Sequence, residues 1–304
     1  MNADLTRRGF LRQSLVAGAA AVAADGLAEA LAAEKPPAKR GSTMRLGLVT
    51  YLWAKDWDLP TLIAHCRKSG VLGVELRTTH RHGVECRLTA AQRAEVKKRF
   101  DDSGVTHVGI GSDERFDHPD AGRLKRAIEA TKAFIKLSRD CGGSGVKVKP
   151  NSFPKGVPRE KTIEQIGKSL NVVGRFGADY GQQIRLEVHG QCAELGTMKK
   201  IMDVATHENV GVCWNSNGTD LRGKGLEHNF DLVKGRFGAT AHVRAFDNPG
   251  NRYPWQELIG LFVKMDYAGW ILLEASSRRK DYVAALAEQK RLFEKMVAAA
   301  RAKR

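Results

Sequence analysis

The chain has 304 residues, 42% of them hydrophobic, enough to bury one large core or two small ones, which excludes a wholly disordered chain. A formal charge of +16 favours anionic partners, yet lysine and arginine are spread over every helix-like segment, so a generally basic, solvated surface is the better reading. Five cysteines, Cys66, Cys86, Cys141, Cys192 and Cys213, show no CxxC and no repeated spacing, which argues against a disulfide framework or structural zinc and leaves most of them as small core residues.

The chain opens with "LTRRGFLRQSLVAGAAAVAADGLAEALAAEK": a paired arginine, Gly-Phe-Leu, then a weakly hydrophobic alanine-rich run. This is the layout of a twin-arginine export signal over residues 1–33, with "ALA" or "LAA" as the small-residue cleavage site. The competing reading is an amphipathic amino-terminal helix. The apolar run is short and broken by Asp25, so no membrane span is expected in the mature protein, which would work in the periplasm or outside the cell. Residues 34–43 read as a linker and 44–304 as one domain.

Beyond the linker a short apolar run alternates with a longer amphipathic one. The apolar runs are Arg45 to Tyr51, Leu72 to Arg77, Val105 to Gly111, Gly145 to Lys149, Ile184 to His189, Val210 to Asn215, Ala239 to Phe246 and Trp270 to Ala275. Between them, segments such as "LTAAQRAEVKKRFDDSG" and "DAGRLKRAIEATKAFIKLSRDCG" place apolar residues at three- and four-residue steps and close on glycine. Eight such units in about 250 residues predict a single (β/α)8 TIM barrel, an α/β fold, since parallel strands need crossovers of this kind. An open doubly wound sheet is the alternative, but "TYLWAKDWDLP" after the first strand is too bulky to cradle a pyrophosphate.

In a barrel the carboxyl ends of the strands build the active site. Those ends carry Glu75 and Arg77 on the second strand, with His80, Arg81 and His82 in its loop, and Lys147 and Lys149 on the fourth. They continue with Glu187 and His189, Asn215, His242 and Arg244, and Glu274 on the fifth to eighth strands. Glu187 and Glu274 read either as ion-pair partners of Arg244 or Lys149, or as site carboxylates, and position favours the site. His189 and His242 read equally as core histidines or site groups, and Asn215 as a turn starter or a site amide.

With "GVELR", "LEVHG", "VGVCWN", "HVRAFD" and "GWILLEAS" at successive strand ends, the chain resembles the sugar phosphate isomerase/epimerase family of xylose-isomerase-like barrels from about Met44 onward. The resemblance implies a divalent ion held by Glu187 and Glu274, with Asn215 where the family has aspartate and Arg244 where it has the metal-binding histidine. The expectation is therefore a degenerate metal site: one Mn, Mg or Zn ion on Glu187, Asn215, Glu274 and His242, or no metal, with Arg244, helped by Lys149, as the resident cation. The implied reaction is isomerisation or epimerisation of a sugar, sugar phosphate or sugar acid through an enediolate. Glu187 and Glu274 would be the acid/base pair, and Glu75, His80, Lys149, His189 and Arg244 the substrate contacts. A barrel that binds carbohydrate without turnover is the alternative. DNA cleavage of the apurinic-endonuclease type needs more histidine and carboxylate ligands than these ends offer, so no specific nucleic-acid partner is expected, while homo-oligomerisation stays open.

Overall fold

The structure is a computed structural model that describes residues 43–303 apart from Pro249 and Asn251, so the expected leader and all of the expected linker but Thr43 lie outside the described residues. Strands and helices alternate eight times, in the order β1 Arg45–Val49, α1 Leu59–Ser69, β2 Gly73–Arg77, α2 Ala90–Ser103, β3 Thr106–Arg115, α3 Ala121–Asp140, β4 Gly145–Lys149 and α4 Arg159–Asp179. The second half runs β5 Gln183–Glu187, α5 Leu195–Val204, β6 Val210–Asn215, α6 Leu226–Asp231, β7 Phe237–Val243, α7 Trp255–Lys264, β8 Trp270–Leu273 and α8 Tyr282–Ala302. All neighbouring strands pair in parallel, and β1 closes on β8 from Arg45↔Trp270 to Leu48↔Leu273, which makes the closed TIM barrel expected from the alternation. No helix among the described residues is long and apolar enough to cross a membrane.

Local chemistry sets the helix ends. The side chains of Asp58, Asp120 and Asp281 accept backbone N–H groups at the starts of α1, α3 and α8, and Thr89 and Gln92 cap α2 reciprocally. Gly70 and Gly104 then end α1 and α2 in the left-handed region that other residues avoid.

The alternation of strand side chains divides the molecule into two environments. Outward residues such as Leu48, Leu76, Val148, Leu186, Val212 and Leu273 are buried under the helices in one large apolar cluster. The apolar cluster inside the barrel is small, with Val49, Val108, Trp270 and Leu272 capped by Tyr51. Trp270 plugs the amino-terminal end, stacked under the Arg45 guanidinium at 4.0 Å, and a Cβ on Gly73 would lie 2.3 Å from its ring. Above this plug the interior is polar, with Glu75, Lys147, Arg185, Glu187, Asn215, Thr240 and His242 all buried.

Several strand boundaries differ from those read in the sequence. β5 stops at Glu187, β7 spans Phe237–Val243, and β8 stops at Leu273, so His189, Arg244 and Glu274 lie just beyond their strands. The ladder splays as it opens into the mouth loops, although the Glu274 N–H still donates to Val243 O at 2.7 Å. β3 runs on to Arg115, because after an irregularity its ladder resumes at Arg115↔Lys149.

Candidate active site

Glu187, 1% exposed at the end of β5, is the hub of the polar interior. Its Oε2 atom lies 2.9 Å from the Lys147 ammonium, its Oε1 atom accepts the Asn215 Nδ2–H at 2.7 Å, and His242 Nδ1 is 3.6 Å from the same Oε1. On its other side His242 Nε2 lies 3.2 Å from Glu75 Oε1. Lys147 also donates to Ser112 O at 3.0 Å, while Ser112 Oγ donates back to Lys147 O at 2.7 Å, which fixes both ends of the residue. Beneath them Arg185 donates to Val108 O at 3.1 Å and Ser144 Oγ at 2.7 Å, in space that Gly109 and Gly145 leave free.

These contacts decide which groups carry charge. Burial pushes the Glu187 carboxyl up, but the Lys147 ammonium and His242 outweigh it and hold the group well below the usual carboxylate range. Glu75 is likewise held below its ordinary value, burial being outweighed by His242, Lys147 and Arg185. For Lys147 burial works against the charge, and Glu187 and Glu75 more than restore it. His242 is raised well above the ordinary histidine value, Cys213 and the two glutamates overcoming burial. Glu274 goes the other way from Glu187: burial and the Glu187 charge raise it, against His242, Lys147 and Arg244.

The sequence-predicted residues divide accordingly. Glu187, Asn215, His242 and Glu274 converge, whereas Glu75, expected to touch substrate, is fully buried against His242, away from solvent. Neither Lys149 nor Arg244, the partners of the competing ion-pair reading, pairs with Glu187; the partner is Lys147, carried with Lys149 on the fourth strand without a role assigned. Lys149 instead shares Asp113 with Arg77. His82, in the loop after β2, is 6% exposed and structural: its Nε2–H donates to Arg77 O at 2.8 Å and its Nδ1 accepts the Val84 N–H at 3.1 Å. Burial pushes it down to about 4, so it is neutral at neutral pH. His80 stays half-buried, and burial lowers it too.

Loops tie the mouth together. The Trp53 indole N–H donates to Ser277 O at 2.6 Å, and Arg279, 5.3 Å over the Trp53 ring, grips Asp247 with two hydrogen bonds of 3.0 and 2.6 Å. A cavity of about 470 Å³ opens beside β6, β7 and β8, with Ser216, Arg244, Arg252 and Ser276 in its lining. A larger one, about 810 Å³, lies on the outer face between α7 and α8, away from the strand ends.

His189 is oriented by its Nδ1 hydrogen bond of 3.1 Å to Asn151 Oδ1, a contact that depends on a tight backbone approach. Gly190 has φ +67, and a Cβ there would lie 2.3 Å from Asn151 O. Gly190→Ala is therefore expected to cost more than about 1 kcal/mol in urea denaturation.

An oxygen of Glu187, a nitrogen of His242 and an oxygen of Glu274 lie within 4.8 Å of one another, and Asn215 Oδ1 is buried without a hydrogen-bond partner. Donors of the kind a divalent ion takes do converge here. Their surroundings do not suit one. The Lys147 ammonium is already on Glu187, Asn215 turns an N–H to the same carboxylate, and Arg244 acts on Glu274 from the mouth. Glu187 thus already faces a fixed ammonium and an amide donor, and as arranged the residues do not fit a divalent ion.

The sequence pattern of the xylose isomerase-like TIM barrel family matches residues 63–296. No curated protein matches by sequence. Among solved structures, L-ribulose 3-epimerase superposes with a TM-score of 0.72 at 16% identity, over 86% of this chain and 96% of that one. The apo form of 3-keto-D-glucoside 4-epimerase from E. coli gives 0.70 at 12%, over 83% and 99%. The IolI protein with a bound zinc atom gives 0.69 at 15%, over 84% and 99%. At such identities the likeness carries the fold and not the chemistry. With its eight strands closed in chain order and the family pattern matched over most of its length, the chain belongs to the xylose isomerase-like TIM barrel family.

Proposed function

We propose that the protein is a sugar isomerase or epimerase that moves a proton on and off the carbon beside a carbonyl, through an enediolate, with Glu187 and Glu274 as the acid/base pair. The observation that carries this is the opposite displacement of two neighbouring carboxyls, Glu187 held ionised and Glu274 raised toward its protonated form. A pair pushed apart in this way has one group ready to accept a proton and one ready to give it. Glu274 is the less buried of the two and faces the mouth, so it is the better placed to exchange its proton with substrate. His189 and Arg244, both half-buried beside the strand ends, are the side chains best placed to orient a polyhydroxylated substrate. A carbohydrate substrate is further supported by the structural relatives, two of which are sugar epimerases by name.

The test is solvent-deuterium uptake by a panel of ketoses, aldoses, sugar phosphates and sugar acids, read by proton NMR. The parent protein is expected to label one carbon position of a substrate, and Glu187→Gln and Glu274→Gln are each expected to slow labelling by about 100-fold or more. Uptake unchanged in both variants would sink the assignment. A second reading, a barrel that binds sugar without turnover, is favoured by the closed pairing of Glu187 with Lys147 and Asn215. It predicts thermal stabilisation by a sugar that takes up no deuterium.

A further inference from the structure

We infer that Lys147 takes the place of a divalent cation in this barrel: its ammonium is the fixed positive charge on Glu187, and the site neither holds nor needs a metal ion. The chemical part of this statement rests on the enediolate reading above; the exclusion of an ion does not.

Lys147 is 2% exposed, and a buried ammonium must be paired. The carboxylates that act on it are those of the site itself, Glu187, Glu75 and Glu274. An ion drawing on Glu187 would share that carboxylate with an ammonium 2.9 Å away and meet its charge, and the interior offers the ammonium little space to retreat. On the same face of the neighbouring strand, at the Lys147↔Arg185 register, the Arg185 guanidinium fills the space beneath, so close that a Cβ on Gly145 would lie 2.8 Å from it. Ser112 holds Lys147 from both its ammonium and its carbonyl.

The other substitutions agree with a resident lysine. Where a carboxylate would add negative charge for an ion, Asn215 offers a neutral amide and spends its N–H on Glu187. Glu187 therefore has the Asn215 N–H on Oε1 and the Lys147 ammonium paired with Oε2 at 2.9 Å. The ammonium donates to Ser112 O at 3.0 Å and lies 2.9 Å from Glu187 Oε2. Beside the site carboxylates, this fixed positive charge would stabilise the charge that develops on an enediolate oxygen, the task a metal otherwise performs.

The experiment is metal analysis of the full chain purified without chelator, followed by thermal melts with added Mn²⁺, Mg²⁺, Zn²⁺ or EDTA. The expected result is a substoichiometric metal content and a melting temperature that none of these additions raises. One ion per chain, or a rise of several degrees with Mn²⁺ or Zn²⁺ that EDTA reverses, overturns the inference. The double variant Lys147→Met with Asn215→Asp removes the ammonium and restores the carboxylate, and is expected to gain an EDTA-reversible rise in melting temperature with Mn²⁺. If it shows the parent's far-UV circular dichroism and still takes up no ion, Lys147 is not what keeps the ion out. If it fails to fold, the parent measurement decides alone. Neither readout needs turnover, so a failure of the isomerase assignment shows in the deuterium test and not in this one.

Discussion

Replacing Lys147 with methionine is expected to lower the stability of the barrel by about 3–5 kcal/mol, the usual cost of removing one partner from a buried ion pair. The Glu187 carboxylate would then keep the Asn215 N–H at 2.7 Å and His242 at 3.6 Å but lose the ammonium beside Oε2. Replacing Lys147 with methionine and Glu187 with glutamine together removes both charges and is expected to recover most of the loss. Urea denaturation of the parent, both single variants and the double closes the cycle. The pH dependence gives an independent check. Glu187 is depressed in the folded state, so its contribution is present above its ordinary value of 4.5 and is lost as pH falls through the depressed folded value. Without Lys147 that folded value rises, and acid unfolding should begin at a higher pH. A loss under about 1 kcal/mol with no recovery in the double variant would mean that the pair is solvated, as exposed pairs are.

The barrel was legible because period-2 apolar runs alternated with period-3.6 ones and closed on glycine, a pattern fixed by which faces must be buried. Glu187, Asn215, His242 and Glu274 were legible by the same logic, since a polar residue at the end of a buried strand has to face the mouth. Arg185 was not, nor was the partner of Lys147, although both residues lie in strands that the sequence marks. Alternation says which side of a strand a residue takes, and Lys147, Arg185 and Glu187 all take the inner side. Which carboxylate an inner lysine reaches depends on strand stagger around the closed barrel, and no local pattern encodes that. Lys149, two residues on, lies above the pleat layer of Glu187 and is taken by Asp113 on an extended β3, a strand whose last four residues read as loop. His82 shows the same limit: its neutrality comes from burial, which outweighs the Arg77 carbonyl that favours the cation, and that burial is not visible in "TTHRHG".

Asp220→Asn is expected to remove the fall on the alkaline side of the stability profile. Asp220 lies in the short turn Gly218–Leu221 after β6 and is 0% exposed. Its Oδ2 atom accepts the Asn217 N–H and the Tyr253 O–H, each at 2.7 Å, while Oδ1 is buried with no partner. Burial pushes the carboxyl up from 3.8 to about 7, and the two donors only moderate it. A raised folded value means that the folded state holds the proton more tightly than the unfolded chain. The stability this gives is complete below 3.8 and is lost as pH rises through about 7. A displacement of this size corresponds to roughly 4 kcal/mol. Asparagine keeps the shape and an acceptor for both donors but cannot ionise. Between about pH 3.5 and pH 9 the stability difference between variant and parent should therefore move by roughly 4 kcal/mol in favour of the variant, as read by urea denaturation at each pH. The same turn supports the candidate site, because Asn217 Nδ2–H donates to Asn215 O at 2.7 Å and Val188 O at 3.1 Å, and Tyr253 lines the mouth cavity beside Arg244. Ionising Asp220 costs the turn that holds Asn215 the stability given above, so activity in the parent is expected to fall on the alkaline side with the same midpoint, and the fall should be absent in Asp220→Asn. Parallel stability profiles for parent and variant would show that the carboxyl is not held protonated.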